Sequence, residues 1–570
     1  MTDGLDHPEQ PIPTGGASTG GRAGSRMALL AALNASRFAI FLVVGLLMTP
    51  MMLGAFGTAM WGLFAFVSVC RFPFQEVLQP VVTRELSGAW SRSDPVGRRA
   101  AFSNAVALSL LAAVLGIGLT ILAVPAVLNG LNFPEGQRDS MRLIVLGEGA
   151  LLVMMLGCGA WVNIFLAAHR LQENNIHRTF ERVQDLIALV PALYLLPIAP
   201  EHRLAAFLAL RVILRAAHLI VCWWRARLVE PDARFEWRLV TRAGLLHSVR
   251  NLGWATSIPI SNQVFWMVDH YLLNRFFGPL FNGVYQLTQQ LRGYARILGG
   301  AITFGAEGIT ADLAARGHTD ALRRLVLTSM RVTASVTAVC TVLLAVFGGA
   351  LMEAWLGKQL AADEDLKAAG VTVPEAIRLC WTYYLILAPG IVVTEAGYAA
   401  TTILFGMGMV KRFAPALLLM TALKLALTWS ALSATTGGFD TYHVLLTAWV
   451  TLGLSLSMFG VYLPIIVKRA VGVGLREQYR RVYLRPILST APVALLGWLM
   501  AEYLGPWTPG MWSMTKLGAC VLVLLGVWAA VAAWMIPEGD ERERVRGMRN
   551  KLMGKVLRKQ QRSEAAEQQS

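Results

Sequence analysis

Charge is scarce in this chain. Of 570 residues, 15% are Asp, Glu, Lys or Arg, whereas 55% are hydrophobic, and the mean hydropathy is +0.52. A soluble protein of this size carries about a quarter charged residues, so a water-soluble globular class is excluded. There is no CxxC pair. The six cysteines, Cys70, Cys158, Cys222, Cys340, Cys380 and Cys520, all fall in apolar stretches, where they read as small buried hydrophobes rather than disulfides or metal ligands. There is no G-x-x-x-x-G-K-[S/T] phosphate loop and no cytoplasmic stretch long enough for a nucleotide-binding domain, which argues against ATP hydrolysis by this chain. No outer loop is long, the largest running over about 348–375. That argues against a membrane glycosyltransferase, polymerase or ligase. No enzyme activity and no cofactor are expected. The opening stretch "MTDGLDHPEQPIPTGGASTGGRAGS" lacks the basic region, apolar core and cleavage site of a signal peptide. Its Gly, Pro, Ser and Thr content predicts disorder.

Long apolar runs, by contrast, recur along the whole length, and each is long enough to cross a bilayer as a helix. About fourteen are predicted, at 28–50, 58–80, 102–124, 141–167, 183–199, 204–224, 251–274, 281–308, 326–347, 376–401, 413–433, 442–466, 486–504 and 514–536. The predicted organisation is all-α and polytopic. A disordered N-terminus (1–27) precedes a first lobe of six helices (28–224). A cytoplasmic linker (225–250) leads to a second six-helix lobe (251–466), two further helices (486–536) and a basic tail (537–570). Prolines inside segments, such as Pro73, Pro259 and Pro389, predict kinks.

The net charge of +16 is a matter of placement. With the N-terminus inside, about 35 Lys and Arg fall on inner segments and about 8 on outer loops. The asymmetry predicts that both termini lie in the cytoplasm. It points to anionic lipid headgroups as partners, not nucleic acid. The tail is either a surface helix against such lipid or an orientation signal.

A repeat is present. "FGTAMWGLFAFVSVCR" (56–71) aligns without gaps on "FGPLFNGVYQLTQQLR" (277–292), 221 residues later. The alignment matches Phe56 with Phe277, Gly57 with Gly278, Gly62 with Gly283, Phe64 with Tyr285 and Arg71 with Arg292. A looser echo joins "IFLAAHRLQ" (164–172) to "ILFGMGMVK" (403–411). Six helices separate the copies, so the repeat is parallel, with its pseudo-twofold along the membrane normal. Substrate sites in such folds lie between the halves.

Ionisable residues at bilayer depth are costly and face a cavity or a partner. In "YQLTQQLRGYARILGG" (285–300), Tyr285, Gln289, Arg292, Arg296, Thr303 and Glu307 share one helical face. Arg292 lies roughly 14 Å below the outer turn. A guanidinium fork suits phosphate oxygens, so Arg292 and Arg296 are candidate cavity ligands for an anionic group, with an internal ion pair to Glu307 or a neighbouring acid as the alternative. Arg71 and Gln75 hold the matching positions in the first half, Gln75 standing where the second half has Arg296. Arg37 either faces the cavity or snorkels to the inner surface. Arg211 and Arg215 form a stripe with His218, serving either the cavity or pairing with Glu148 or Asp185. Lys424 and Glu395 are expected to pair with each other. Asp269 is expected to bond the turn at "NRFFG". Glu76 and Glu148 are candidate coupling sites, since burial raises a carboxylate's pKa.

Three stretches, "LLMTPMMLGAFGTAMWGLFAF" (46–66), "VDHYLLNRFFGPLFNGVYQLTQQL" (268–291) and "ITADLAARGHTDALRRL" (309–325), resemble polysaccharide flippases of the multidrug/oligosaccharidyl-lipid/polysaccharide exporter superfamily. The resemblance covers roughly residues 28–466. It implies a two-lobed transporter working by alternating access. Its polysaccharide branch moves an undecaprenyl-diphosphate-linked oligosaccharide from the inner to the outer leaflet, with a polysaccharide polymerase and assembly proteins as further partners. In the lipid II branch arginines on helices one, two and eight line the cavity, and Arg37, Arg71 and Arg292 fall on those helices here. A lipid II flippase and a cation-coupled multidrug antiporter of the same fold are the alternatives. The antiporter would favour cavity carboxylates and few arginines.

Overall fold

The computed structural model describes residues 19–90, 94–134, 136–168, 170–303, 310, 313–314, 316–434 and 441–537. The segments read from sequence as a disordered N-terminus and a basic tail therefore lie largely outside the described residues, the first described helix starting at Thr19. Every described element is helical, as buried backbone must be where no water can satisfy its N–H and C=O groups. Ten of the described helices are long and apolar enough to cross a membrane.

The first of these, α1 (Thr19–Val77), is two membrane arms joined at a break at Gly57. Three further long helices, α6 (Leu171–Val190), α8 (Arg242–Phe277) and α9 (Pro279–Thr303), fall outside the ten. Their polar and charged residues, such as Glu173, Arg178 and Asp185 on α6 and Arg292 and Arg296 on α9, lower their hydropathy. The break in α1 and these three helices account for the difference from fourteen. α6 also starts at Leu171 rather than near 183, because its first turns ("LQENNIHR") are too polar to register as apolar sequence. In α8 the non-helical residue is Gly253, six positions before Pro259, which lies within the helix.

The other elements of the first half are α2 (Gln79–Trp90), α3 (Pro95–Gly130), α4 (Arg138–Gly157), α5 (Gly159–Ala167) and α7 (Arg203–Val229). The second half continues with α10 (Thr319–Ala362), α11 (Glu364–Ala368), α12 (Val373–Gly406), α13 (Val410–Ser433), α14 (Thr441–Ser455) and α15 (Leu463–Val471). A short α16 (Leu475–Gln478) then leads to α17 (Arg485–Tyr503) and α18 (Met511–Met535). These last two pack on α10 through Val493, Leu517 and Leu524 against Leu343 and Phe347.

The repeat is visible in the backbone. Gly57 (φ 76°, ψ 167°) and Gly278 (φ 89°, ψ 179°) make the same turn, one that a Cβ disfavours. Each turn opens a descending helix, and the two descending helices cross at the other matched pair. A Cβ on Gly62 would lie 2.3 Å from the Gly283 nitrogen, and one on Gly283 would lie 2.3 Å from the Thr58 carbonyl oxygen. Only glycine at both positions allows the backbones to approach so closely, as at small-residue crossings in membranes generally.

At this end of the bundle the halves clasp each other. Asp363, in the turn after α10, accepts from the Thr58 amide (2.7 Å) and hydroxyl (2.6 Å), and Asp365 accepts from the Ala59 amide (3.0 Å). Two carboxylates thus cap the start of the other half's helix, where unpaired N–H groups and the helix dipole favour negative charge. The corresponding turn after α3 reaches the opposite way. The Asn132 amide donates to Asn274 Oδ1 (2.8 Å), and Asn274 Nδ2 donates back to the Asn132 carbonyl (2.9 Å). Burial, with Asp363 alongside, pushes the Asp365 carboxyl above the usual range against the opposing pull of the Ala59 amide.

The apolar core follows the same plan. Near the clasp one core joins both halves, with Leu63, Phe66 and Phe207 sharing it with Tyr285, Leu291 and Tyr383. Away from the clasp there are two separate cores. One holds Leu86, Phe102 and Phe165, the other Phe265, Met330 and Phe413. The first arm of α8 docks on the first half, Ser248 donating to Glu85 (2.5 Å) and the Thr241 amide to Asn104 (3.0 Å). The halves are joined at one end, and each is packed on itself at the other.

Candidate functional site

The bilayer-depth charges divide into two clusters, one per half. In the first, Glu148 on α4 is the hub. Arg211 on α7 donates to it at 2.5 Å, Ser68 at 2.9 Å, and Arg71 lies 3.3 Å away. Arg211 also bonds Asp185 of α6 (2.9 Å). One turn on, Arg215 pairs with Glu181 (2.8 Å), which Arg178 approaches at 3.4 Å. Arg71 is therefore held against an acid of its own half. The arginine stripe of α7, open from sequence between cavity and pairing, pairs with Glu148 and Asp185 through Arg211 and with Glu181 through Arg215. Glu148 is 2% exposed, enclosed by two guanidinium groups. Arg37 stacks near the Phe41 ring (5.5 Å to its centre), and Arg182 approaches the same ring (5.3 Å). The side chains of Gln75 and Glu76 lie outside those described, as does Glu307 altogether.

The second cluster departs from the sequence reading. Lys424 does not pair with Glu395. Its Nζ bonds Asp269 Oδ2 at 2.8 Å, with both side chains closed to solvent. The same oxygen accepts from Tyr285 (2.9 Å) and Thr451 (3.2 Å). Asp269 therefore anchors α8, α9, α13 and α14 together and does not bond the turn at 274–278; Asn274 and Asn132 do that. Four polar groups from four helices converge because a buried carboxylate needs several donors to offset lost hydration. Glu395 pairs instead with Arg296, Nε to Oε1 at 3.1 Å.

Arg292 is the exception in this set. Among the described residues no carboxylate pairs with it. Its guanidinium lies over the Trp266 ring, 3.3 Å from ring centre to Cζ, and its Nε is buried without a hydrogen-bond partner. Trp266 was not singled out in the sequence. The same indole is 5.1 Å from Lys424 Nζ, and Phe265 lies 4.0 Å from it, so an aromatic pair on α8 holds two cations by their ring faces. Arg296 beside Arg292 is 46% exposed despite its ion pair and lies 5.1 Å from the Tyr398 ring. The Nε2 of Gln289, one turn from Arg292 on α9, is also buried without a partner. Among the described residues of this cluster, Arg292, Arg296 and Lys424 face Asp269 and Glu395, an excess of one positive charge around a guanidinium whose Nε is unbonded. Such an arrangement can accept an anion.

No family model matches the chain, and no curated protein matches it in sequence. Solved structures do match in fold. The lipid II flippase MurJ in an inward-closed conformation aligns over 89% of this chain and 100% of its own, at 10% identity and a TM-score of 0.62. An inward-facing multidrug resistance MATE transporter of the MOP superfamily aligns over 77% of this chain and 99% of its own, at 13% identity and a TM-score of 0.55. MATE in complex with MaL6 gives 79% and 97%, 12% identity and a TM-score of 0.54. The chain has the fold of this superfamily and is a multi-pass α-helical membrane protein.

Proposed function

We propose that the chain is a flippase that carries an undecaprenyl-diphosphate-linked oligosaccharide from the inner to the outer leaflet for cell-surface polysaccharide assembly. The observation that carries this reading is Arg292, a guanidinium at membrane depth with no carboxylate partner among the described residues and a buried, unbonded Nε. A half-buried charge without a carboxylate partner is costly at membrane depth, and a diphosphate neutralises it through parallel charge-assisted bonds. Arg296 is partly exposed and already oriented by Glu395, so it reaches the same ligand from the next turn. Arg71, Arg37 and Gln289 supply further polar contacts from the two halves.

The clasp closes one end of the bundle, and the separate cores leave the halves free to part at the other. By the distribution of basic residues, the clasp faces outward, both termini face the cytoplasm, and the chain sits in the bacterial cytoplasmic membrane. The head group enters from the cytoplasm between the halves, the sugar occupies the wetted space, and the prenyl tail stays in lipid. Release of the clasp then opens the path outward. Anionic lipids contact the basic inner segments, and a polysaccharide polymerase receives the product.

A multidrug antiporter for cationic substrates is the competing use of this fold. It needs available carboxylates, and here Glu148, Asp269 and Glu395 are each engaged by at least one cationic side chain. The experiment is complementation of a strain lacking the protein. Arg292→Ala at normal abundance is expected to abolish surface polysaccharide; polysaccharide at the wild-type level would refute the assignment.

A further inference from the structure

The first half contains a second cluster that the transport reading does not use. His177 on α6 and His218 and Cys222 on α7 turn one donor atom each toward a common point. His177 Nδ1 and His218 Nε2 are 3.3 Å apart. Cys222 Sγ lies 3.2 Å from the first and 3.4 Å from the second. The spacing on α7 is one helical turn, so His218 and Cys222 share a face, and α6 brings His177 against it.

Hydrogen bonding does not account for this triangle. An imidazole nitrogen has a single in-plane site, either a proton or a lone pair. Each of these two nitrogens faces two partners. A cation at the centre would satisfy all three donors at once. Taking about 2.05 Å to nitrogen and about 2.3 Å to sulfur, a tetrahedral ion separates its donors by about 3.3 Å for N···N and about 3.6 Å for N···S. The observed separations lie within a few tenths of an ångström of those values.

The surroundings suit a held ion. All three residues are buried. Phe165 stacks on His177 (4.8 Å between ring centres), and Phe180 meets His218 edge-on (5.0 Å), so aromatic carbon flanks both imidazoles. Glu173 Oε2 stands 4.0 Å from the far nitrogen of His177 and is itself fixed by Arg225. At that distance the carboxylate acts on the ring through its charge, not through a hydrogen bond.

We infer that His177, His218 and Cys222 form a binding site for a borderline divalent cation of the zinc class, with one coordination position left for water or a small ligand. A thiolate with two imidazoles selects such ions over magnesium or calcium, which require oxygen donors. The site would pin α6 to α7 at the end of the first half where Arg225 and Arg227 lie. Of the six cysteines, Cys222 is then the one that departs from the buried-hydrophobe reading.

The test is titration of the chelator-stripped full-length protein in detergent with cobalt(II). About one equivalent per chain is expected to give the intense visible bands of a tetrahedral site together with a thiolate charge-transfer band, both displaced by zinc. Cys222→Ser should remove the charge-transfer band and His218→Asn should abolish stoichiometric binding, with Cys158→Ser, outside the triangle, behaving as wild type. Absence of the bands in the wild-type protein at one equivalent would overturn the inference without reference to any variant. So would an unchanged spectrum in correctly eluting Cys222→Ser.

Discussion

A methyl group at Gly283 should prise the clasp apart. Built on the observed backbone, the Cβ of Gly283→Ala lies 2.3 Å from the Thr58 carbonyl oxygen and 2.9 Å from the Thr58 carbonyl carbon. Ordinary contact needs at least 3.4 Å or so, so the crossing helices must separate by about 1 Å. Thr58 Cγ2 lies 2.4 Å away as well, but rotating that side chain would leave the backbone obstacle in place. Overpacking of this kind costs about 1–3 kcal/mol. The strain acts only while the clasp is closed, so it favours the open state by the same amount, about a 5- to 150-fold change in the equilibrium. The assay is disulfide trapping between cysteines introduced at Asn132, whose backbone the Asn274 side chain holds through two bonds that the substitution leaves intact, and at Arg275, the next residue, in membranes of cells expressing each variant. Trapping is expected to fall in Gly283→Ala and in Gly62→Ala. It should be unchanged in Gly293→Ala on the same helix, where nothing lies within 4 Å of the added carbon. Equal trapping in Gly283→Ala and wild type would refute the account of the crossing.

Other consequences follow from the same geometry. Asp363→Ala removes the cap from the descending arm of α1 and from α11, which its other oxygen serves through the Asp365 and Leu366 amides. A loss of about 0.5–2 kcal/mol per cap is expected, read as reduced trapping across the clasp and a lower melting temperature. Lys424→Ala leaves Asp269 charged and buried with only two hydroxyl donors, at an expected cost of about 3–5 kcal/mol. Thermal unfolding in detergent should show it, and Lys424→Met with Asp269→Asn should recover much of the loss. If the single and double variants melt alike, the two residues are not coupled. Glu148→Gln should weaken the hold on both Arg71 and Arg211 and lower the melting temperature more than Asp185→Asn, which touches only Arg211.

The backbone plan was legible in the sequence wherever a residue type is dictated by local geometry. Gly57 and Gly278 could be matched because the turn before each descending helix excludes a Cβ, and Gly62 and Gly283 because their contact does too. Partners were less legible. Depth alone points Lys424 to Glu395, but depth does not say which helices are neighbours. In the structure, α13 lies against α8 and brings Asp269 within reach, leaving Glu395 to Arg296. Arg71 and Arg292 align in the repeat yet differ in surroundings, since α4 offers the first a carboxylate and α8 offers the second an indole. The start of α6 is invisible to hydropathy because its first turns, "LQENNIHR", are polar. The His218 and Cys222 spacing of one turn was a signal in the sequence. Its meaning depends on His177, 41 residues earlier than His218, which only the packing of α6 on α7 supplies.

The central claim is that Arg292 receives a diphosphate. Its direct test is the affinity of the purified protein for undecaprenyl diphosphate, compared between wild type, Arg292→Lys and Arg292→Ala. A hydrogen bond to a charged group contributes about 1.5–3 kcal/mol, so Arg292→Ala should bind about 10- to 150-fold more weakly. Arg292→Lys should fall between, keeping the charge but losing the fork. Equal affinity for wild type and Arg292→Ala, with both proteins eluting and melting alike, would contradict the account.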